Sequence, residues 1–505
     1  MKGLHRRLAV STLAIPTTVV VLVAVFGFSR TVFAQLPPAL LDPPSTKGVV
    51  RKNKAPVSSE LLKVSLPQAA ESDLENGLHL IVLEDHRLPQ ISFQLFIPGA
   101  GGYYDTAELA GLATFTASLM REGTTTRTSS EISQQLEVMA ATLGVGAGVS
   151  SPEAILTGSC LSDQFDRLFD LAADVLLHPS FADEELARYK LRTRAALAQQ
   201  RANPGFLAGE MFSRAIYGTH PAARVSPSSA ALTRTTRAAL VEFHKTHYVP
   251  DRAALAIAGD ISMAEALKLV DPKLVGWQKA GTAVAAVSDP QPLSGARIYF
   301  IARPNSVQTN LIVGTQAIER TNRDFDVLAV MNKVIGGGPT GRLFMHLREE
   351  KGYTYGAGSS VVAPQYRGAW QASTSVRTEV TEPALNDLLA EIRRLRDELV
   401  PAQELSDAKR SMVAEYALEL ESPTQLLNLS VVRWRFTLPA DYWDRRAERL
   451  MAVTREQVQA AARKYLAADR LQIVAVGDPA RVTDSLKTLG AIETYDIEGK
   501  RVGPF

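Results

Sequence analysis

Apolar residues fall into two recurring patterns along the chain. Short runs at 78–83, 91–97, 253–258 and 471–476 are rich in Leu, Ile, Val, Ala and Phe and are bounded by Gly, Asp or Asn, which predicts strands. Asn76-Gly77 predicts a hairpin into the first of them. Longer stretches repeat at helical spacing. Leu109, Leu112, Ala113, Thr116, Leu119 and Met120 form one stripe of a predicted helix over 105–122, with Asp105 and Glu108 as N-cap and reciprocal acid and Gly123 as its stop. Ile132, Leu136 and Met139 mark a second helix over 130–143, and a third spans 163–177. A fourth starts near Ser180, where acids at 183–185 and bases at 188–194 suit the helix dipole.

This alternation repeats once. DRAALAIAGD at 251–260 and DRLQIVAVGD at 469–478 share spacing and punctuation at an offset of 218 residues, with Tyr248 and Tyr465 just upstream. Ala182–Leu186 and Ala402–Leu405 echo each other at nearly the same offset, each opening a long helix. Two homologous α+β halves follow: an N-terminal domain at 61–270, a polar Pro- and Gly-containing linker at 271–295, and a C-terminal domain at 296–505.

The N-terminus stands apart. Lys2, His5, Arg6 and Arg7 precede an apolar run from Leu8 to Phe28, and Val32-Phe33-Ala34 offers a small-residue cleavage site. Residues 1–34 read as a secretory signal; a run of about 20 residues also suffices for an uncleaved anchor. Either reading places the body in the periplasm or another extracytoplasmic space, at the membrane only if the segment stays attached. Residues 35–60, with five prolines between Pro37 and Pro56, form a tether. Apolar content of 46%, charged content of 21% and a net charge of +2 without a basic block argue against nucleic acid as a partner. Cys160, the only cysteine, excludes an intrachain disulfide and reads as a buried small hydrophobe.

Candidate chemistry centres on GLATFTASLMREGT at 111–124. Thr114, Ala117 and Ser118 stand at i, i+3 and i+4, on one helix face. The stretch resembles the zinc helix of the insulinase/pitrilysin-like metallopeptidases, where that face carries H-x-x-E-H: two zinc-binding histidines and a glutamate general base. The resemblance sets Thr114 and Ser118 at the histidine positions and Ala117 at the glutamate. The family's third ligand, on a later helix, falls on Ala195. Hydroxyls are poor zinc ligands and a methyl group moves no protons. Of the eight histidines no two stand four apart, so neither H-x-x-E-H nor H-E-x-x-H occurs elsewhere; His244 and His247 read as solvated helix-end residues. No G-x-S-x-G is present either.

In the second half, VIGGGPTGRLFMHLREEKGYTYG lacks the Lys-Ser/Thr of a phosphate loop, so Gly336-Gly337-Gly338-Pro339 predicts a tight turn before a helix ending near Glu350. Arg348 and Tyr355 keep the seven-residue separation of the family's arginine–tyrosine pair, which grips substrate at the zinc of the opposite half. The resemblance covers roughly residues 60–490. It implies two domains, each a mixed sheet packed with helices, facing each other as a clam shell. It further implies a non-catalytic homologue that binds no metal itself and lends Arg348 and Tyr355 to a homologous, zinc-bearing partner acting on peptides. The alternative is a stand-alone periplasmic peptide-binding or scaffold protein.

Overall fold

A computed structural model describes residues 63–503; the expected signal or anchor at 1–34 and the tether at 35–60 lie outside the described residues. The first sheet contains β1 (Ala70–Asp73), β2 (His79–Glu84), β3 (Gln90–Pro98), β4 (Thr142–Ala147), β5 (Glu153–Leu161) and β6 (Ala254–Gly259), in spatial order β1-β2-β6-β3-β5-β4. The second contains β7 (Arg297–Ala302), β8 (Gln308–Gln316), β9 (Thr354–Val362), β10 (Ala369–Arg377), β11 (Gln472–Gly477), β12 (Ile492–Tyr495) and β13 (Arg501–Val502), in order β13-β12-β7-β11-β8-β10-β9. The runs β2-β6-β3-β5-β4 and β7-β11-β8-β10-β9 are the same unit. In each, the first pair is parallel and the others antiparallel. β6 and β11 begin 218 residues apart, at 254 and 472. The expected α+β architecture of two homologous halves is therefore present.

The two central strands show why their sequences lack polar alternation. Every residue of β6 and of β11 is buried. A strand reads as a continuous apolar run when both sheet faces are covered. Leu255 and Ile257 face the helices of their own half, whereas Ala256 and Ala258 meet Leu426, Leu427 and Val431. Those three belong to the helix Pro423–Arg435 of the second half. The exchange is reciprocal. Val474 and Val476 of β11 pack against Leu207, Met211 and Phe212 from the first-half helix Pro204–Tyr217. Each half thus lends one helix to the outer face of the other's sheet.

Local elements depart from the sequence expectations at several ends. The first helix is Leu112–Met120 rather than 105–122, because Gly111 adopts φ 117° and a Cβ there would lie 2.7 Å from Pro227 Cβ. Asp105 does cap this helix, but from a distance: its carboxylate accepts from the Gly111 N–H at 2.7 Å and the Ala113 N–H at 3.1 Å. Glu108 takes no reciprocal part; it sits in a 3-10 turn, Ala107–Leu109. The second helix closes at Val138, so residues 142 and 143 enter β4 instead. The helix Met263–Leu274 and Trp277 belong to the first core, with Trp277 Nε1 donating to Tyr248 O at 2.8 Å. The expected linker at 271–295 therefore loses its first residues to that half, and the stretch without helix or strand runs to the start of β7 at 297. His244 and His247 are not solvated: they lie 2.8 Å from Leu176 O and 2.6 Å from Gly99 O, and burial holds both pKa values below the usual imidazole range. Cys160 is buried, which pushes its thiol up to about 11. Among the described residues, no helix is long and apolar enough to cross a membrane.

Candidate functional site

The helix Leu112–Met120 lies beside β4, the outermost strand of the first sheet. Thr114 and Ser118 are half-buried on it, and Ala117 is fully buried. The Thr114 hydroxyl donates to Ala147 O at 2.8 Å, and Arg121 Nη1 donates to Leu143 O at 2.9 Å. Both acceptors are carbonyls of β4, so the helix satisfies polar groups along a sheet edge. Ser118 Oγ accepts from Tyr189 OH at 3.0 Å. Tyr189 stands on the helix Asp183–Arg201, edge-on to Phe115 at a centroid distance of 5.2 Å.

Ala195 is on that same helix, but exposed, with a methyl group only. The family's zinc would need imidazole or carboxylate donors at these positions. The residues present are a hydroxyl spent on a strand carbonyl, a hydroxyl held by a tyrosine, and two methyl groups. They do not fit the metal. Among the described residues, no group of three or more His, Cys, Asp or Glu side chains is arranged to hold one.

The second half presents a different surface. The helix Phe325–Gly336 ends against β9, where a Cβ on Gly336 would sit 2.6 Å from Ser359 N. The glycine lets helix and strand touch. Gly338 turns the chain with φ 138°, and the segment continues through Arg342–Phe344 into a π-helix, Met345–Glu350. Lys351 N donates to His346 O at 3.0 Å, the five-residue spacing of a π turn. Two anchors hold this segment from behind. Arg342 forks onto Glu404 at 2.7 and 2.9 Å, and His346 Nδ1 lies 3.0 Å from Glu391 Oε1.

Arg348 takes part in neither anchor. Its side chain is 45% exposed, 3.4 Å from Glu349, with the guanidinium 4.7 Å from the centre of the Phe344 ring. Tyr355, the second residue of β9, lies where its register with β10 shifts; 90% of its surface is exposed and its hydroxyl bonds to no described residue. A backbone turn joins the pair: Gly352 N donates to Arg348 O and Tyr353 N to Leu347 O. No hydrogen bond or ion pair links this segment to Thr114, Ser118 or Ala195.

A cleft of about 750 Å³ lies next to it, between the helix Pro204–Tyr217 and the face of β8, β9 and β10. Phe344, on which Arg348 rests, and Gly356, next in the chain to Tyr355, both line it. Nothing in the sequence pattern marks this cleft, because its walls come from segments more than a hundred residues apart.

Comparison with known proteins agrees with both halves. The family described as insulinase (peptidase family M16) matches residues 80–226, and the peptidase M16 inactive domain matches residues 234–412. An uncharacterized zinc protease of Bacillus subtilis is 22% identical over 399 residues, covering 78% of this chain and 95% of that protein. One from Mycobacterium leprae is 25% identical over 268 residues; the match takes in 52% of this chain and only 59% of that protein's length. Among solved structures, a peptidase M16 inactive domain from Pseudomonas fluorescens superposes with a TM-score of 0.76 at 28% identity, covering 81% of this chain and 98% of its own. A protease from Helicobacter pylori shares the fold at a TM-score of 0.75 and 15% identity, covering 81% of this chain and all of its own. The chain belongs to the insulinase family of peptidases, family M16, as a homologue without the H-x-x-E-H motif.

Proposed function

We propose that this chain is the non-catalytic subunit of an extracytoplasmic zinc metallopeptidase heterodimer. It lends Arg348 and Tyr355 to a homologous partner that holds the zinc. The observation that carries this reading is the state of Tyr355: a 90% exposed tyrosine without an internal hydrogen bond, seven residues from an arginine left half-exposed, on a chain whose metal positions carry no donors.

The division of labour follows from the chemistry. Water at neutral pH is a weak nucleophile, and zinc supplies the lowered pKa that makes it a strong one. This chain offers what zinc does not. The Arg348 fork can donate charge-assisted hydrogen bonds to a peptide carbonyl oxygen. The Tyr355 hydroxyl can donate to the oxyanion that develops at a scissile carbonyl, and removing such a donor costs about a hundred- to a thousandfold in rate.

The test is co-expression with a partner bearing H-x-x-E-H, followed by peptide cleavage with Arg348→Ala and Tyr355→Phe. Each variant is expected to lose about a hundredfold or more in kcat while keeping the parent's melting temperature, because neither side chain is buried. Unchanged turnover in both removes the shared-site reading. The second reading, a stand-alone periplasmic peptide-binding protein, draws on the cleft beside Arg348 and is favoured if peptides bind without any partner.

A further inference from the structure

A half-exposed arginine is a poor tool until something fixes it. Its long side chain loses much rotamer freedom on being held, so a guanidinium already in place gives more than one that must be captured. Among the described residues, two side chains meet the Arg348 guanidinium. Glu349 Oε1 lies 3.4 Å from its Nε, and the centre of the Phe344 ring lies 4.7 Å from its central carbon. Glu349 is the weaker holder. Its own side chain is half-exposed, so water screens the pair, and as the next residue along the chain it moves with the arginine it would fix.

Phe344 differs on each count. It is half-buried and stands on a segment fixed from behind. Leu343 and Leu347 are fully buried, Arg342 forks onto Glu404, and His346 Nδ1 lies 3.0 Å from the buried Glu391. One turn earlier, Gly341 packs so tightly that a Cβ on it would lie 2.8 Å from Gly336 Cα, which ties the segment to the end of the helix Phe325–Gly336. Residues 342, 343, 346 and 347 thus engage the body of the second half. Phe344 and Arg348, four residues apart, share the remaining side. The guanidinium lies over the ring within the reach of a cation–π contact.

We propose that Phe344 is the positioning residue for Arg348. Its ring, fixed to the second half, holds the guanidinium in place before a substrate carbonyl arrives. Phe344 acts through the arginine and on no reacting atom. The inference rests on the shared-site reading and adds the part of this chain that presents the arginine. Deleting the ring removes preorganisation and leaves the charge.

The experiment combines cleavage kinetics of the co-expressed heterodimer with NMR of the full chain alone. Phe344→Leu is expected to lower kcat, the parameter that Arg348→Ala lowers, by about two- to fivefold. Phe344→Tyr, which keeps the ring, is expected to restore it. In the Arg348→Ala background Phe344→Leu is expected to add nothing, whereas a merely structural ring would cost the same with or without the arginine. In the chain alone, with arginines isotope-labelled and Arg348 assigned through Arg348→Lys, its side-chain signals are expected upfield of free arginine through the ring current, and to return there in Phe344→Leu. Any one of four results would overturn the proposal: parental kcat in Phe344→Leu, a loss that persists in the Arg348→Ala background, an equal loss in Phe344→Tyr, or Arg348 signals at the free-arginine position in the parent. Should Phe344→Leu melt early, the parent's NMR signals decide alone. Parental turnover in Arg348→Ala removes the shared site, and the role of Phe344 with it. Lost turnover there with Phe344→Leu unaffected rejects only the positioning residue.

Discussion

Phe212 offers the sharpest test of the helix exchange. It belongs to the first half by sequence, yet it is 4% exposed in a cluster with Ile312, Val474 and Val476 of the second sheet. Its ring is seated on Gly314: a Cβ at that glycine would lie 2.5 Å from Phe212 Cζ and 2.4 Å from Trp370 O. Phe212→Ala removes a buried aromatic ring and leaves a void that a flat sheet cannot close, at a cost of about 3–5 kcal/mol. That is a large fraction of the ~5–15 kcal/mol that holds a typical fold together. Gly314→Ala costs about 1–3 kcal/mol or more through overpacking. Because the added methyl and the ring claim the same space, the double variant is expected to be less destabilised than the sum, by roughly 0.5–3 kcal/mol. Relief stays partial, since Trp370 O does not move with Phe212. The assay is urea unfolding followed by tryptophan fluorescence and circular dichroism, comparing variants at matched m-values. A loss below about 1 kcal/mol for Phe212→Ala, or strictly additive costs in the double variant, would refute the packing argument. So would separate unfolding transitions for the two halves of the parent.

Two further outcomes follow from buried carboxyls. Burial outweighs the backbone hydrogen bonds at Asp105 and pushes its pKa up to about 6. The folded state therefore holds this proton more tightly than the unfolded chain, whose carboxyl titrates near ~3.9. The stabilisation is present below pH ~4 and is lost as the pH rises through about 6, an effect on the order of 3 kcal/mol. The stability of the parent relative to Asp105→Asn, measured by urea titration, is expected to fall between those pH values; a constant difference counts against it. Arg435 ties the exchanged helix Pro423–Arg435 to β5 through Glu153 at 2.6 Å, with side chains 17% and 12% exposed. Arg435→Ala leaves that carboxylate buried without its cation and is expected to cost about 3–5 kcal/mol at pH 7. Burial already raises the Glu153 pKa, so the cost should shrink on acidification, and a pH-independent loss would point instead to the packing of the Arg435 guanidinium over the Phe96 ring, 4.9 Å from its centre.

Much of the secondary structure was legible because short-range rules govern it. The DRAALAIAGD and DRLQIVAVGD runs are strands, as their apolar runs predicted; that both of their faces are covered emerged only from the structure. Which helix supplies that cover was not legible. The stripes of Pro204–Tyr217 and Pro423–Arg435 are ordinary amphipathic patterns that say an apolar face is buried, not against what. The start of the helix Leu112–Met120 was misplaced for a similar reason. Asp105 and Glu108 match a capping motif locally, but Gly111, confined by Pro227 from a distant loop, decides where the helix opens. His244 and His247 looked solvated at a helix end; the carbonyls that bury them come from Leu176 and Gly99.

The candidate site divides along the same line. By itself the sequence determined what chemistry is absent, since the residue at a ligand position either carries a donor or does not. It also placed Arg348 and Tyr355 at the spacing of a known pair. Tertiary structure alone decided that Thr114 and Arg121 are committed to the carbonyls of β4, that Tyr355 stands uncovered, and that segments far apart in the chain line one cleft beside it. The physical reason is range: side-chain chemistry and backbone propensity act within a few residues, whereas a cleft exists only where segments far apart in the chain are packed together.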